Sequence, residues 1–578
     1  TERYSQGNEV DQDIMELTDN VTLPFGTHTV TLGTQNEFYK ARNLYAQSSY
    51  GVWYFDSIDS LNNGQAWRYI VGVPAVGDGS VNFRTSTLAA YAQDQWMATP
   101  NFTLTYGIRA DLPTFANKPP TNASVLTEYN RDTHNIPSGN IQWSPRVGFN
   151  WNITGNEVNQ LRGGIGSFVG HPAYVWMSNA FQNSGLSGVP LLTCTNIAPV
   201  FNSANVQTPP TQCSNGLTAS AGSEIDLLQS NLRMPQTLRG SLGYDRDLGH
   251  DLIGTVEGLY TKALYSPFYY NLALAGPQGT DAHGRVMYGP RPFAPVLSGT
   301  RSTVIDVANQ NKDHFYNLTA KLTRRFVDNW EGTLAYTYSR GWDVQSFTSS
   351  TAYSQYRYGR VWAGDQMDQT ATRSAFEQRN RIVAQGSYSF PSHTTVSLIY
   401  TGGSGIPYTF VYNSDLNGDG FSANDPIYVP TDATDPAQIQ FDGTPAQQAT
   451  QAAEFNQFIN QNKCLRDQRG QIMGRNTCTA PWNNQVNVSV RQSLRTMNLQ
   501  NVSLQLDIIN FANLLNNRWG QQTTTYGQVS LLTYKNLTGG TDLTAGATPV
   551  FHYSPTPTFS YDNLASNYQM QLSLRYSF

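Results

Sequence analysis

The sequence predicts an all-β fold, a transmembrane antiparallel β-barrel with short turns at one end and long loops at the other. Three observations carry that prediction. Residues 568–578 (YQMQLSLRYSF) alternate without a break between apolar and polar side chains, and successive side chains of a strand point to opposite faces. The same alternation recurs in paired segments of roughly ten residues, the length a membrane strand needs. Composition agrees: only 13% of the residues are charged, while Tyr contributes 33 and Gly 48, against about 25% charge in an ordinary soluble domain.

Mean hydropathy is −0.43 over the 578 residues. No run of ~18 or more apolar residues offers a spanning helix. Asn, Gln, Ser and Thr fill most polar positions, which suits faces that meet channel water. A formal charge of −5 and the lack of any long basic stretch exclude nucleic acid as a partner. The chain opens on polar residues with no secretory signal, as a mature or shortened polypeptide would.

Taken in order, the opening hairpin joins residues 14–23 to 30–39. Residues 86–97 and 102–112 flank Ala98-Thr99-Pro100-Asn101. Residues 141–153 and 159–168 flank Thr154-Gly155-Asn156-Glu157. Next come 236–248 and 252–265 around Gly249-His250-Asp251, then 315–327 and 330–339 around Asp328-Asn329. Residues 381–390 and 394–400 flank Pro391-Ser392-His393, and 484–494 meets 502–512 across 495–501. With the last strand this makes about fifteen strands on the barrel template.

The other connections are long: residues 113–140, 169–235, 271–314, 340–380 and 409–481. Structureless loops of that length are rare in compact soluble domains, whereas outer-membrane barrels combine short periplasmic turns with long extracellular loops. The whole of 1–578 is therefore expected to be one barrel domain in the bacterial outer membrane. An odd strand total is unusual for such barrels, which points to barrel sequence upstream of Thr1.

In the closing strand, Tyr568, Met570, Leu572, Leu574, Tyr576 and Phe578 share one face, expected to meet lipid, and Gln569, Gln571, Ser573, Arg575 and Ser577 share the other. Backbone groups in hydrocarbon need internal partners, so alternating spanning strands imply a closed wall. A terminal Phe on such a strand resembles the signal read by the barrel-assembly machinery.

Several stretches together resemble the TonB-dependent receptors, and within them the Oar-like branch. They are YAQDQWMATPNFTLTYGIRAD (residues 91–111), SPRVGFNWNIT (144–154), PQTLRGSLGYDRDL (235–248), FEQRNRIVAQGSYSFP (376–391), LNGDGFSANDPIYVP (416–430) and CLRDQRGQIMGRNTCTAPW (464–482). The resemblance implies a barrel of about twenty-two strands, of which this chain would be the C-terminal two thirds. It also implies a plug domain and a TonB-contacting segment, neither of which is found in residues 1–83. Their partners would be outer-membrane lipid, TonB and a large or scarce solute.

Four cysteines form two local pairs, Cys194 with Cys213 in loop 169–235 and Cys464 with Cys478 in loop 409–481. Two loop disulfides in an oxidising compartment are one reading and free buried thiols the other, since four cysteines allow three connectivities. Asp415, Asn417 and Asp419, with Gly420 in sixth place, begin like a calcium loop, in which alternate oxygen donors wrap a hard cation. The closing acid is out of step, because Pro426 takes the twelfth place and Asp425 the eleventh. The alternatives are a Ca2+ site of Asp415, Asn417, Asp419 and Asp425, or an ordinary Asx and Gly turn.

The eight histidines are scattered, and no phosphate loop or serine elbow is present. Gly402-Gly403-Ser404-Gly405 lacks the Lys of a P-loop. Catalysis is not expected. Arg109, Arg146, Arg162, Arg239, Arg381, Arg491 and Arg575 are placed in the lumen, as polar lining or as contacts for an anionic ligand or a plug. Trp53, Tyr174, Trp176, Trp342, Tyr356 and Trp362 fall in loops, as packing residues or as stacking surfaces for sugars or peptides. Three functions fit: a transporter barrel, a structural or adhesive protein acting through its loops, and a passive porin.

Overall fold

The computed structural model describes residues 2–577 apart from 157, 172–173, 204–206, 220–223, 496–500, 526 and 556. Phe578 and most of the turn 495–501 therefore lie outside the described residues. Fifteen strands form the wall: β1 (Asn8–Phe25), β2 (His28–Tyr45), β3 (Val81–Thr99), β4 (Phe102–Phe115), β5 (Arg146–Asn152), β6 (Asn159–Val169), β7 (Gln236–Gly249), β8 (Leu252–Asn271), β9 (His314–Val327), β10 (Trp330–Asp343), β11 (Asn380–Ser389), β12 (Thr394–Gly403), β13 (Asn483–Arg495), β14 (Asn501–Ile509) and β15 (Gln569–Ser577). Each pairs antiparallel with the next, in one meander.

Turn chemistry fixes the register locally. Asp328 and Asn329 both adopt left-handed φ, 52° and 69°, which matches the twist of a two-residue hairpin and suits Asp and Asn. Register then puts one face of each strand in line with the next. Leu322 stands opposite Leu334, and Leu334 opposite Ala384. On β15, Met570, Leu572, Leu574 and Tyr576 face Ile508, Leu506, Leu504 and Val502. Leu572 and Leu574 are 70% and 74% exposed, which an aqueous surface would not favour and lipid does. Trp96, Trp151, Trp330 and Tyr388 lie exposed on this face toward the short turns, as an interfacial aromatic girdle requires. The inner face carries Asn317, Thr319, Lys321, Ser489 and Arg491.

The strands are longer than the alternation predicts. β1 and β2 have 18 residues each and β8 has 20; at about 3.3 Å per residue that is roughly 60 Å, twice the hydrocarbon thickness of about 30 Å. The excess projects on the long-loop side. At the outer end of β8 the last six residues, SPFYYN, are all buried, so both faces are covered and the period of two disappears.

The long connections are not structureless, which corrects the sequence expectation. They fold into a cap with its own cores. Gln440–Phe441, Thr548–Tyr553, Gln528–Thr538, Pro407–Tyr412 and Cys478–Thr479 make a five-stranded sheet. Thr303–Gln310 pairs with the end of β8 and, in parallel, with Glu224–Leu228. Helix Pro445–Gln461 starts at Thr444, whose side chain accepts from Gln447 N while Gln447 reaches back, with Pro445 in the first turn; this capping box satisfies two otherwise orphaned N–H groups. The helix buries Ala452, Phe455 and Ile459 in a core with Phe410, Tyr412, Leu416, Leu532 and Phe551. A second core joins Phe83, Phe181, Tyr288, Ile305, Tyr356 and Phe421.

Candidate functional site

Two regions hold polar chemistry: the upper lumen wall and the cap above it. In the wall, Arg109 of β4 donates through Nε to Asp111 Oδ1 at 2.8 Å and through Nη1 to Gln35 Oε1 at 3.0 Å. Arg162 of β6 bridges Asp245 at 3.0 Å and Glu257 at 2.6 Å on the next two strands. Arg146 lies over the Phe168 ring at 5.2 Å. These three arginines serve the wall itself. Arg239, Arg381, Arg491 and Arg575 have no carboxylate partner among the described residues, and stand apart from one another on β7, β11, β13 and β15.

Arg109, Arg146, His171, Tyr174, Asp111 and Gln142 do converge, on a cavity of about 230 Å³ where the wall meets the cap. Its floor is the lumen face of β4 and its roof begins at helix Tyr174–Gln182. A cavity with both signs of charge and several hydrogen-bonding groups can hold a small polar molecule.

The loop aromatics pack rather than present open faces. Trp53 meets Tyr69 at 4.4 Å and Phe201 at 5.3 Å. Tyr174 lies on Tyr39 at 4.3 Å, and Trp176 stacks on Phe347 at 5.2 Å. Trp362 meets Tyr288 edge-on, and Tyr356 is buried against Phe421. Trp342, at the outer end of β10, stacks on His314 at 4.8 Å.

Both cysteine pairs are disulfides, Cys194–Cys213 and Cys464–Cys478, with Cα separations of 5.6 and 5.2 Å. Each joins elements of the cap. Cys478 pairs with Tyr408 in the five-stranded sheet and lies in the first core. Replacing Cys464 and Cys478 together by Ser is expected to cost about 2–4 kcal/mol, the usual effect of opening a loop of this size. Thermal melts of the variant, against the parent with and without reductant, measure it.

Glu377 is a node that reading by motif did not single out. Its carboxylate is fully buried and takes Arg373 Nε at 2.7 Å, Arg340 Nε at 3.1 Å and Arg379 Nη2 at 3.0 Å, as well as the N–H of Gly341 at 3.2 Å. Arg373 also donates to Asn476 O and Thr479 Oγ1. Arg475, in the same loop, reaches Asp343 Oδ1 at 2.8 Å and Ser346 Oγ at 2.7 Å. The cap is thus clamped to the top of β10 and β11. The charged run Glu377-Gln378-Arg379-Asn380-Arg381 was the available signal.

The calcium-like loop lies between the two cores, with Leu416 in one and Phe421 in the other. Asp415, Asn417, Asp419, Asn424 and Asp425 are all 0% exposed. Asp415 accepts from the N–H of Asp419 and of Gly420, at 3.0 and 2.8 Å, a turn that gives Gly420 a φ of 90° and so requires glycine. Asp425 already has its partners: one oxygen takes Arg285 Nη1 at 3.2 Å, and the other takes the N–H of Leu416 and Asn417 at 2.7 and 3.2 Å. Burial, then repulsion from Asp425, pushes the Asp415 carboxyl up to about 7, and burial with repulsion from Asp415 raises Asp419 well above the carboxylate range. Among the described residues no three His, Cys, Asp or Glu side chains form a metal-ligand set. What the loop gathers is two carboxylates and two amides.

Among solved structures, the outer membrane transporter YddB from Escherichia coli superimposes with a TM-score of 0.50 at 11% identity, over 98% of this chain and 54% of its own. A mutant of the ferric enterobactin receptor PfeA from Pseudomonas aeruginosa gives 0.46 at 11% identity, over 98% and 54%. The siderophore receptor PirA from Acinetobacter baumannii gives 0.44 at 11% identity, over 99% and 55%. The chain thus spans about half the length of each. Comparison with curated proteins returned no match. A family model described as an outer membrane beta barrel domain matches residues 2–536. With its lipid-facing stripe and aromatic girdle, the chain belongs to that outer-membrane β-barrel family.

Proposed function

We propose that this chain is the barrel wall of a TonB-dependent receptor, of the Oar-like branch, that passes a large or scarce solute through its lumen. One observation carries the reading: a fifteen-strand polar-lined meander is roofed by a cap with its own cores, and a mixed-charge cavity lies where cap and lumen meet. A passive pore gains nothing from such a roof. The fold likeness to YddB, described as an outer membrane transporter, and the order of the six sequence stretches support the same reading. A plug domain and TonB would be the partners within the whole protein, the barrel-assembly machinery would insert it, and the solute would first meet the cap. No catalytic role is proposed.

The disulfide-pinned cap also suits a second reading, a structural or adhesive surface. Purification of the native-length protein from outer membranes separates the readings. A closed state in planar bilayers together with association with the TonB C-terminal domain supports the receptor. A steady ohmic conductance without TonB association overturns it in favour of a porin, and a closed barrel that ignores TonB overturns it in favour of the surface role.

A further inference from the structure

We propose that the buried loop at residues 415–424 is a calcium site whose ligands are Asp415, Asn417, Asp419 and Asn424, and that the bound ion fastens three segments of the cap together. The first observation is charge. Asp415, Asp419 and Asp425 are removed from water within a few residues of one another, and Arg285, 1% exposed, hydrogen-bonds only Asp425 among them. Arg285 is itself shared with Asp281, whose carboxylate lies 3.7 Å from its Nε. Asp415 and Asp419 are left without a counter-ion in reach among the described residues, and isolated buried charge is far more costly than a buried neutral group.

The second observation is independent of the carboxylates. Asn424 is fully buried, its Nδ2 donates to Asp419 Oδ2 at 2.8 Å, and its Oδ1 meets no donor among the described residues. An amide oxygen orphaned beside uncompensated carboxylates supplies what a hard, oxygen-seeking cation takes. Asn417 adds a further amide oxygen, Oδ1, which caps the N–H of Asp419 at 2.9 Å. The set therefore differs from the spacing-based one. Asn424, at the tenth place, enters, and Asp425, occupied by Arg285, leaves.

The position of the loop gives the ion its effect. Asn417 O accepts from Tyr288 N at 2.7 Å and Asn424 O from Trp362 N at 3.1 Å, while Arg357 donates to Ser422 O at 3.0 Å. A Cβ on Gly418 would fall 2.9 Å from Gly289 N. Residues 285–291, 356–362 and 415–424 are thus packed on one another through this loop. An ion that neutralises it holds all three.

The test is a titration of the full chain in detergent after chelation with EGTA, using CaCl2 and then Tb3+, with tryptophan-monitored melting and terbium luminescence as readouts. Saturable binding is expected, with a Kd between about 10⁻⁶ and 10⁻³ M and an upward melting shift. Asp415→Asn with Asp419→Asn abolishes both readouts. Asn424→Ala weakens binding by about tenfold or more, and Asp425→Asn leaves it within about threefold. The proposal is overturned if the parent shows no saturable signal, if the signal survives in the double variant, or if Asp425→Asn removes binding while Asn424→Ala keeps it. Should the double variant not fold, the parent titration and Asn424→Ala decide. None of these readouts depends on solute transport.

Discussion

Replacing Glu377 with Gln is expected to loosen the cap by about 3–5 kcal/mol, the range for removing one partner of a buried ion cluster. The carboxylate is fully buried while Arg340, Arg373 and Arg379 surround it within 3.1 Å. Gln keeps the shape and one acceptor, but it leaves three guanidinium groups facing one another with no anion. The loss falls on the junction rather than on the wall, because Arg373 also holds Asn476 and Thr479. Limited proteolysis of residues 344–379 and 464–482, with urea titration of tryptophan fluorescence, reads it directly. Arg379→Ala removes a more exposed partner and should cost no more than about 1 kcal/mol; an equal loss for both variants would contradict the assignment of Glu377 as the centre.

The same cluster fixes a pH dependence. Burial pushes the Glu377 carboxyl up, but Arg373, the N–H of Gly341 and Arg379 together hold it below its usual value. A folded-state pKa lower than the unfolded one means that the unfolded chain binds more protons as pH falls. The contribution is therefore complete above the unfolded value of about 4.3 and is lost as pH drops through the lower folded value. Glu377→Gln should flatten that acid loss while lowering stability at neutral pH.

The wall was largely legible in the sequence because its physics is local. Alternation in 102–109, 486–491 and 568–577 follows from lipid on one side and water on the other, and Asp328-Asn329 specifies its own turn. The alternation stopped being informative where the strands leave the membrane: SPFYYN at the end of β8 and PYTFVY at 407–412 are buried on both faces, so they read as loop. Two features of the cap were nonetheless local. The Thr444-Pro445 start with Gln447 is a helix signature that needs no structure to see, and the cysteine pairs lay close enough in sequence to suggest their bonds. The remainder was not local. Glu377 meets Arg340 from 37 residues away, and Asp425 meets Arg285 across a separation of 140. Spacing within residues 415–426 could not show that the acid nearest the twelfth place already had a partner.

Leu334→Arg should cost about 2–4 kcal/mol, the cost of a guanidinium on the lipid face near the bilayer centre, whereas Thr333→Arg should stay within about 0.5 kcal/mol. The two positions share a strand, a depth and a backbone environment and differ only in the face they present. Leu334 lies between Leu322 and Ala384 and is 54% exposed, with Trp330 near the short turn on one side of it along the strand and Trp342 at the outer end on the other. Thr333 lies on the lumen side, its hydroxyl 3.5 Å from that of Thr323. Arg324 shows why depth matters. It belongs to the same lipid-facing row as Leu322, yet it sits beside the short turn, where its guanidinium covers the Trp330 ring at 3.9 Å and donates to Val327 O at 2.8 Å. An arginine at 334 has no such exit, since Trp330 at the short turn is four residues away and Trp342 at the outer end is eight, along a membrane strand of ~9–11 residues. Folding into phospholipid vesicles, followed by urea titration, gives the two costs. Similar values would mean that the Leu322, Leu334 and Ala384 row does not face hydrocarbon, and with it would fall the inward assignment of Arg109, Arg162 and the solute path.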